Sequence, residues 1–213
     1  MTTILMVRHG ESEANRNNIF AGNFDADLQG RGQRQAEATA EFVAQSYKVD
    51  VIYASDLKRA FKTGQAIGER VGIAPIPDRR LREISAGEWE GKKFDDIAVK
   101  YAEDYAVWLN DMGNARCTGG ESTRELGERI LAALTDIAER NEGKTILIAT
   151  HATPIRVMQT YCTYGDFGKM QQVKWVSNAS LSEFFYENGS FRCGKMSQDS
   201  YLGDLRTVLA PNV

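Results

Sequence analysis

Both histidines of the 213-residue chain stand directly after apolar runs that are typical of buried strands. His9 follows the residues ILMVR at 4–8, and His151 follows the residues TILIAT at 145–150. In open parallel sheets, ligands bind just past the carboxyl ends of the strands. We therefore expect the two imidazoles at one edge of one sheet, where they form a shared site.

The residues around these histidines suit phosphoryl transfer. A neutral imidazole is nucleophilic near pH 7, and a histidine that attacks phosphorus forms a covalent intermediate that splits one displacement into two. The phosphate oxygens then require guanidinium groups and neutral donors. Arg8 adjoins His9, and Arg59 is predicted in the first turn of the helix after the second strand. Asn15 and His151 supply further donors, the imidazole as a cation if a phosphate dianion raises its pKa.

Cleavage of an ester also needs an acid for the leaving alcohol. Glu83, within LREI at 81–84, is the candidate, because a carboxyl in a partly apolar setting beside an anion can hold a proton and donate it. Taken alone, such a glutamate is a surface carboxylate, and Asn15 is a turn residue. Gly10 lets the backbone come close to the phosphate. The set, rather than any single member, indicates a catalytic site.

Composition and charge limit the class of protein. A chain of 213 residues with 42% hydrophobic and 26% charged residues suits one α/β domain over 1–213. Its apolar runs fall far short of the roughly 20 residues that cross a bilayer, and no basic leader begins it, so we expect a cytoplasmic protein without membrane contact. The net charge of −3 argues against nucleic acid as a partner. The expected partner is a small phosphorylated metabolite, and the oligomeric state is open.

Neither a disulfide framework nor a metal site is indicated. The three cysteines, Cys117, Cys162 and Cys193, lack C-x-x-C spacing, so reduced thiols are expected. The two histidines lack the spacing of a helical zinc site, and no glycine-lysine nucleotide loop occurs. We expect no metal and no organic cofactor.

Strand and helix patterns alternate along the chain. Helices are predicted at 30–47, from an N-cap at Ser55 to residue 71, at 122–137 after a capping box of Ser122 and Glu125, and from an N-cap at Thr153 with Pro154 next. Strands are predicted at 4–8, 49–54 and 145–150, residues 72–77 break the second helix, and Asn188-Gly189 predicts an antiparallel hairpin. This alternation predicts a mostly parallel sheet with helices on both faces.

The segment at about 89–120 breaks the alternation. Its large apolar residues recur at helical spacing without a strand signal: Phe94, Ile97, Tyr101, Trp108 and Leu109. We expect a helical insertion over one edge of the sheet, where it covers the site. The alternative is that these residues only pack a small satellite core.

The motifs, in their order, resemble those of the histidine phosphatase superfamily, also called the phosphoglycerate mutase-like family. They are RHGES at 8–12 with Asn15, SDLKRA at 55–60, LREI at 81–84 with GEWEG at 87–91, GGES at 119–122, and Thr150-His151. The resemblance implies a doubly wound, three-layer α/β sandwich without metal or cofactor. The catalytic residues that it implies are His9, which carries the phosphoryl group, Glu83, which donates the proton, and His151. The phosphate-binding residues that it implies are Arg8, Asn15, Arg59 and His151.

Three positions depart from the family pattern. Ala21 stands before Gly22 where relatives commonly carry a residue that hydrogen-bonds substrate, and Asn23 replaces an aromatic residue. Tyr201 lies where many members have a histidine, so any role of that histidine is lost or altered. The resemblance therefore leaves the substrate of this chain open.

A phosphatase and a mutase share the phosphohistidine, but a mutase shields it from water with a lid and an extended tail. The interval from Glu83 to His151 is short beside that of glycolytic mutases, and the tail at 203–213 is brief and not rich in lysine. We therefore expect a phosphomonoester hydrolase of the phosphatase branch, with phosphoglycerate mutase as the alternative. A non-catalytic phosphate-binding or regulatory relative is a third hypothesis, and the intact nucleophile and acid argue against it.

Overall fold

The computed structural model describes residues 1–208, which form a six-stranded sheet with helices on both faces. The strands are β1 (Thr2–Arg8), β2 (Val51–Ala54), β3 (Ile76–Pro77), β4 (Thr145–Thr150), β5 (Leu181–Glu187) and β6 (Ser190–Cys193). The helices are α1 (Glu13–Arg16), α2 (Gly30–Ser46), α3 (Lys58–Val71), α4 (Phe94–Lys100), α5 (Ala102–Asn110), α6 (Thr123–Arg140) and α7 (Ala152–Tyr164). The predicted α/β sandwich with a mostly parallel sheet is confirmed.

The strand order across the sheet is β3-β2-β4-β1-β5-β6. The strands β1, β2, β3 and β4 run parallel, whereas β5 and β6 form the antiparallel hairpin that Asn188-Gly189 predicts. Both residues of this turn have positive φ, +50° and +77°, as a type I′ turn requires. Strand β3 lies within 72–77, where the sequence predicts only a break, because a two-residue strand ending in proline carries no alternating pattern.

The strands β1 and β4 occupy the middle of the sheet and are buried on both faces. Ile4 and Met6 belong to the apolar cluster formed with α6 and α7, whereas Leu5 and Val7 belong to the cluster formed with α2 and α3. Successive side chains of a strand point to opposite faces, so a strand covered on both faces needs an apolar residue at every position. This burial explains the unbroken apolar runs at 4–7 and 146–149.

The sequence locates one helix start correctly and one wrongly. The capping box of Ser122 and Glu125 is confirmed at the start of α6, with both reciprocal hydrogen bonds present. The N-cap of α3, however, is Leu57 and not Ser55. The Ser55 hydroxyl instead lies 2.8 Å from Nε2 of His151. Serine is a common N-cap, but here its hydroxyl contacts a histidine and does not cap the helix.

The predicted start of α7 is also wrong. His151 is itself the N-cap and Ala152 the first helical residue, so Thr153 and Pro154 lie inside the first turn. Proline is tolerated there because the first N–H groups of a helix have no carbonyl partner within it. The chain thus passes from β4 into α7 with His151 as the single connecting residue.

The predicted insertion at 89–120 contains α4 and α5 with short 3₁₀ turns on either side. Its aromatic side chains pack on Phe20, whose ring centroid lies 5.5 Å from that of Trp89 and 5.2 Å from that of Trp108. Main-chain hydrogen bonds of Phe20 with residues 91 and 92 join the insertion to the segment after α1. These aromatic rings belong to the same apolar cluster as one face of β1, so they are not a satellite core.

Within residues 1–208, no helix is both long enough and apolar enough to cross a membrane. Residues 209–213, the end of the tail that bears on the mutase hypothesis, lie outside the described part of the chain.

The start of α2 packs directly on the segment that follows His9. A Cβ on Gly32 would lie 2.1 Å from the Glu11 carbonyl oxygen, whereas a Cβ on Gly30 would meet nothing within 4 Å. Gly32→Ala should therefore force helix and segment apart and lower the free energy of unfolding by about 1–3 kcal/mol. Gly30→Ala, in the same helix, should leave it unchanged or raise it. Urea denaturation measures both, and equal stability of the two variants would contradict this packing.

Candidate active site

Parallel pairing of β1 with β4 brings His9 and His151 together. Arg8 is the register partner of Thr150, so the next residue along each strand is a histidine. The His9 N–H donates to the Thr150 carbonyl at 2.9 Å. The two ring centroids lie 5.2 Å apart, with an angle of 63° between the ring planes. The imidazoles therefore face one another at the carboxyl edge of the sheet.

The surroundings of His9 leave its Nε2 free to act as a nucleophile. Nδ1 lies 2.7 Å from the Gly10 carbonyl oxygen, which only accepts hydrogen bonds, so we assign the ring proton to Nδ1. Burial lowers the pKa of His9 well below its usual value, and the nearby cations Arg59 and Arg8 lower it further. The ring is therefore neutral at pH 7, with the lone pair on Nε2.

His151 is fully buried and is held through its other nitrogen. Its Nε2 lies 2.8 Å from the Ser55 hydroxyl, which accepts the Leu57 N–H at 3.4 Å and so keeps its own O–H to donate. We assign this O–H as the donor to Nε2, which puts the ring proton of His151 on Nδ1. Burial, followed by the charge of Arg59, lowers the pKa of His151 well below its usual value. Without an anion beside it the ring is a neutral donor, and the cationic form requires the dianion of a substrate.

The two arginines are fixed by backbone carbonyls. Arg8 Nη1 donates to the Val176 carbonyl at 2.6 Å. The two terminal nitrogens of Arg59 donate to the carbonyls of Phe24 at 2.9 Å and Gly22 at 2.8 Å. Burial lowers the pKa of each guanidinium to about 10, a shift that the charge of Glu83 opposes. Both arginines therefore remain cationic at pH 7.

Three nitrogens of this group are buried without a hydrogen-bond partner among residues 1–208: Arg8 Nε, Arg59 Nε and His151 Nδ1. A buried donor without a partner costs about 1–3 kcal/mol, so such groups are rare in proteins. Arg8, Arg59 and His9 all lie close enough to His151 to affect its pKa. The oxygens of a phosphate would satisfy these donors, whereas a metal cation would be repelled by them.

Asn15 is exposed, and Asn178 links it to the backbone of His9. It ends the first turn of α1 in a capping box with Ser12. Its Oδ1 accepts hydrogen bonds from the Ser12 N–H, the Ser12 hydroxyl and Nδ2 of Asn178, at 3.0–3.1 Å. Because the oxygen is fully engaged, Nδ2 remains as a neutral donor for an anion.

The Glu83 carboxyl lies beside the same pocket. One of its oxygens accepts the N–H of Ile84 at 2.9 Å, and the other accepts the N–H of Thr153 at 3.4 Å, in the first turn of α7. The side chain is half-buried and its charge acts on both Arg8 and Arg59. The carboxyl therefore lies at the start of the helix that His151 caps.

Sequence reasoning misses several residues that hold these groups. The Thr63 hydroxyl accepts the Gly10 N–H at 3.1 Å and donates to the Arg59 carbonyl at 2.8 Å. Arg129 donates to the Glu83 carbonyl at 3.2 Å and pairs with Glu121 at 2.8 Å. A partial signal exists for Thr63, which lies one helical turn after Arg59 on the face that meets the sheet.

Gly10 has a steric role within the protein that the sequence does not indicate. A Cβ at this position would lie 2.3 Å from the Gly32 carbonyl oxygen, so the close approach of α2 requires a glycine.

Asn23, one of the departures from the family pattern, lies in the sequence between Gly22 and Phe24, whose carbonyls hold Arg59. Its Oδ1 is buried without a partner in the described chain.

No group of three or more metal-binding side chains occurs within residues 1–208.

Relatives match nearly the whole chain. A sequence profile of the histidine phosphatase superfamily (branch 1) matches residues 4–199. Phosphoserine phosphatase 1 of Hydrogenobacter thermophilus is 33% identical over 204 residues, which are 96% of this chain and 96% of that protein.

Solved structures share the fold. YhfR of Bacillus stearothermophilus superposes with a TM-score of 0.89 at 25% identity, over 95% of this chain and 100% of that one. A phosphoserine phosphatase from Entamoeba histolytica, in complex with 3-phosphoglyceric acid, superposes with a TM-score of 0.80 at 25% identity, over 95% and 100% of the two chains.

The buried neutral histidines predict a stability that falls in acid. Below about pH 6.5 the unfolded chain protonates His9 and His151, whereas the folded chain, with both pKa values lowered, does not. The unfolded state then binds more protons than the folded state. As the pH decreases below about 6.5, the free energy of unfolding should therefore decrease by up to about 1.4 kcal/mol per pH unit for each histidine. Above about pH 6.5 the two histidines should not affect it. Urea denaturation at pH 7.5 and 5.5 should show a smaller loss for the double variant His9→Gln/His151→Gln. Equal losses in the two proteins would show that these rings are not held neutral.

Proposed function

The chain belongs to the histidine phosphatase superfamily as a phosphoric monoester hydrolase, and we propose that it cleaves small phosphomonoesters through a phosphohistidine on His9. The observation that carries the proposal is the orientation of His9. Its Nδ1 is held by a carbonyl, and its ring lies 5.2 Å from that of His151, next to three buried nitrogens without a hydrogen-bond partner in the described chain. A neutral nucleophile and donors suited to an anion therefore lie side by side.

In the first step, Nε2 of His9 attacks phosphorus as the bond from phosphorus to the ester oxygen breaks. The leaving oxygen takes a proton from the Glu83 carboxyl, and an alcohol departs. Arg8 and Arg59 neutralise the charge on the phosphoryl oxygens, while Asn15 and His151 donate hydrogen bonds to them. The positions of the four donors are fixed before substrate binds, so little reorganisation is needed.

In the second step, water attacks the phosphorus of the phosphohistidine and the bond from phosphorus to Nε2 breaks. The Glu83 carboxylate, having lost its proton in the first step, accepts one from this water. Inorganic phosphate leaves, and His9 regains its lone pair. One carboxyl thus serves first as acid and then as base.

Hydrolysis is favoured over phosphoglycerate mutation by the relatives. Two relatives, 33% and 31% identical to the chain, are named phosphoserine phosphatases, whereas a third, 34% identical over 72% of the chain, is named phosphoglycerate mutase-like. A structural neighbour named phosphoserine phosphatase is in complex with 3-phosphoglyceric acid. We infer a small phosphorylated metabolite of this kind as the substrate. A non-catalytic role is disfavoured because a phosphate-binding protein needs no carboxyl beside the leaving group.

The nucleophile can be tested by trapping. His9→Ala should lower phosphate release from a panel of phosphomonoesters by about a thousandfold or more, with folding intact by circular dichroism. The wild type, quenched during turnover, should carry an acid-labile, base-stable phosphoryl group on His9 by mass spectrometry. Wild-type rates in the alanine variant would rule out His9 as nucleophile. Interconversion of phosphoglycerates that outpaces hydrolysis by the wild type would favour the mutase.

The proton donor can be tested by varying the leaving group. Glu83→Gln keeps the shape of the side chain but cannot donate the proton of a carboxylic acid. It should slow the hydrolysis of alkyl phosphates about 10²–10⁴-fold, and that of p-nitrophenyl phosphate far less, because a good leaving group departs without a proton. Measurement of kcat/KM for both ester classes tests this, and an equal loss for both would mean that Glu83 only binds substrate.

A further inference from the structure

A polar turn, residues 176–180, lies beside the carboxyl end of β1 because β5, which follows the turn, runs antiparallel to β1. All of its residues are buried, although three of them are polar. The Val176 carbonyl accepts a hydrogen bond from the Arg8 guanidinium at 2.6 Å, and the Ser180 carbonyl accepts the Arg8 N–H at 3.1 Å. The polar turn thus holds the strand end from which the site projects.

Asn178 makes the contacts of this turn that bear on the reaction. Its Nδ2 donates to the His9 carbonyl and to Oδ1 of Asn15, both at 3.1 Å, and its side chain is 1% exposed. The two N–H groups of one amide are both engaged, so the amide cannot rotate without losing both hydrogen bonds. Asn178 is therefore a rigid link between the nucleophile's backbone and the neutral donor.

We infer that Asn178 is a positioning residue for the phosphate, an inference that rests on the proposed function. By donating to Oδ1 of Asn15, it turns the N–H groups of Asn15 away from the protein and toward the anion. By donating to the carbonyl of His9, it fixes the backbone that carries the nucleophile. Asn178 touches neither the phosphorus nor its oxygens, and it acts through these two residues.

The polar turn is itself held in place. Ala179 has φ of +59°, a conformation that a residue with a Cβ rarely adopts without support. Its carbonyl accepts hydrogen bonds from the Tyr201 hydroxyl at 2.6 Å and the Thr39 hydroxyl at 3.0 Å. Tyr201 stacks on Phe42 with ring centroids 4.2 Å apart. Tyr201 therefore supports the turn that carries Asn178.

A double-mutant cycle tests the inference with a probe that needs no turnover. Asn178→Ala and Asn15→Ala should each weaken the binding of orthovanadate, measured by calorimetry, by about tenfold, as expected for a lost hydrogen bond to an anion. The double variant should bind within about threefold of Asn15→Ala, because Asn178 acts through Asn15. The kcat/KM for p-nitrophenyl phosphate should follow the same pattern. If Asn178→Ala does not fold, Asn178→Leu, which has a similar shape but neither donors nor charge, replaces it in the cycle.

Asn141→Ala is the matched control. Asn141 is 6% exposed, and its Nδ2 also makes two hydrogen bonds, to the Tyr53 hydroxyl and the Ile137 carbonyl, at the opposite end of the sheet. Both single variants should lower Tm, but Asn141→Ala should leave orthovanadate affinity unchanged. A lower Tm for Asn178→Ala with unchanged affinity would overturn the inference, as would losses that simply multiply in the double variant.

The same experiment separates this inference from the proposed function. A wild type that binds orthovanadate in an Asn178-dependent way but releases no phosphate would refute the phosphatase and support the positioning role. If the wild type releases phosphate but its orthovanadate affinity does not depend on Asn178, the phosphatase is supported and the positioning role is refuted. A wild type that binds no orthovanadate would overturn both.

Discussion

The parallel pairing of β1 with β4 is the constraint on which the rest of the site depends. Arg8 and Thr150 are register partners, so His9 and His151 emerge side by side. A slip of one residue would reverse the face of every side chain in the strand and separate the two rings. Such a slip is costly because the side chains of each face are closely packed against helices and would no longer fit. The residues that stabilise the fold therefore also set the geometry of catalysis.

Burial then determines the protonation of the site. The side chains of Arg8, Arg59, His9 and His151 are buried. The two arginines keep their charge at pH 7 because burial lowers their pKa values only to about 10, a shift that the charge of Glu83 opposes. Desolvation, together with the charge of these arginines, keeps His9 neutral. In the proposed function, the same charge attracts a phosphate dianion, whose oxygens supply the missing hydrogen-bond partners of the nitrogens. The buried arginines would then serve both the nucleophile and the binding of its substrate.

The parts of the site that the sequence predicts are those carried by regular elements. His9 and His151 follow strand signals, and parallel topology alone implies that they meet. Ser55 is misplaced by sequence reasoning because a hydroxyl near a helix start is equally suited to capping and to contact with His151, and only tertiary structure decides between them. Asn178 carries no periodic signal, since it lies in a turn. Asn178 lies near His9 because β5 pairs with β1. The Asn188-Gly189 motif predicts the hairpin of β5 and β6 but does not specify which strand of the sheet pairs with this hairpin.

The most direct test of the central claim is the protonation state of His9 by nitrogen-15 NMR. The chain contains two histidines, so labelled histidine gives two ring systems, which a His151 variant assigns. The account predicts that at pH 7 the His9 ring is neutral, with its proton on Nδ1 and an unprotonated Nε2 that shifts when a phosphomonoester is added. A His9 ring that is doubly protonated at pH 7, or that carries its proton on Nε2, would contradict it, because Nε2 would then have no lone pair for phosphorus.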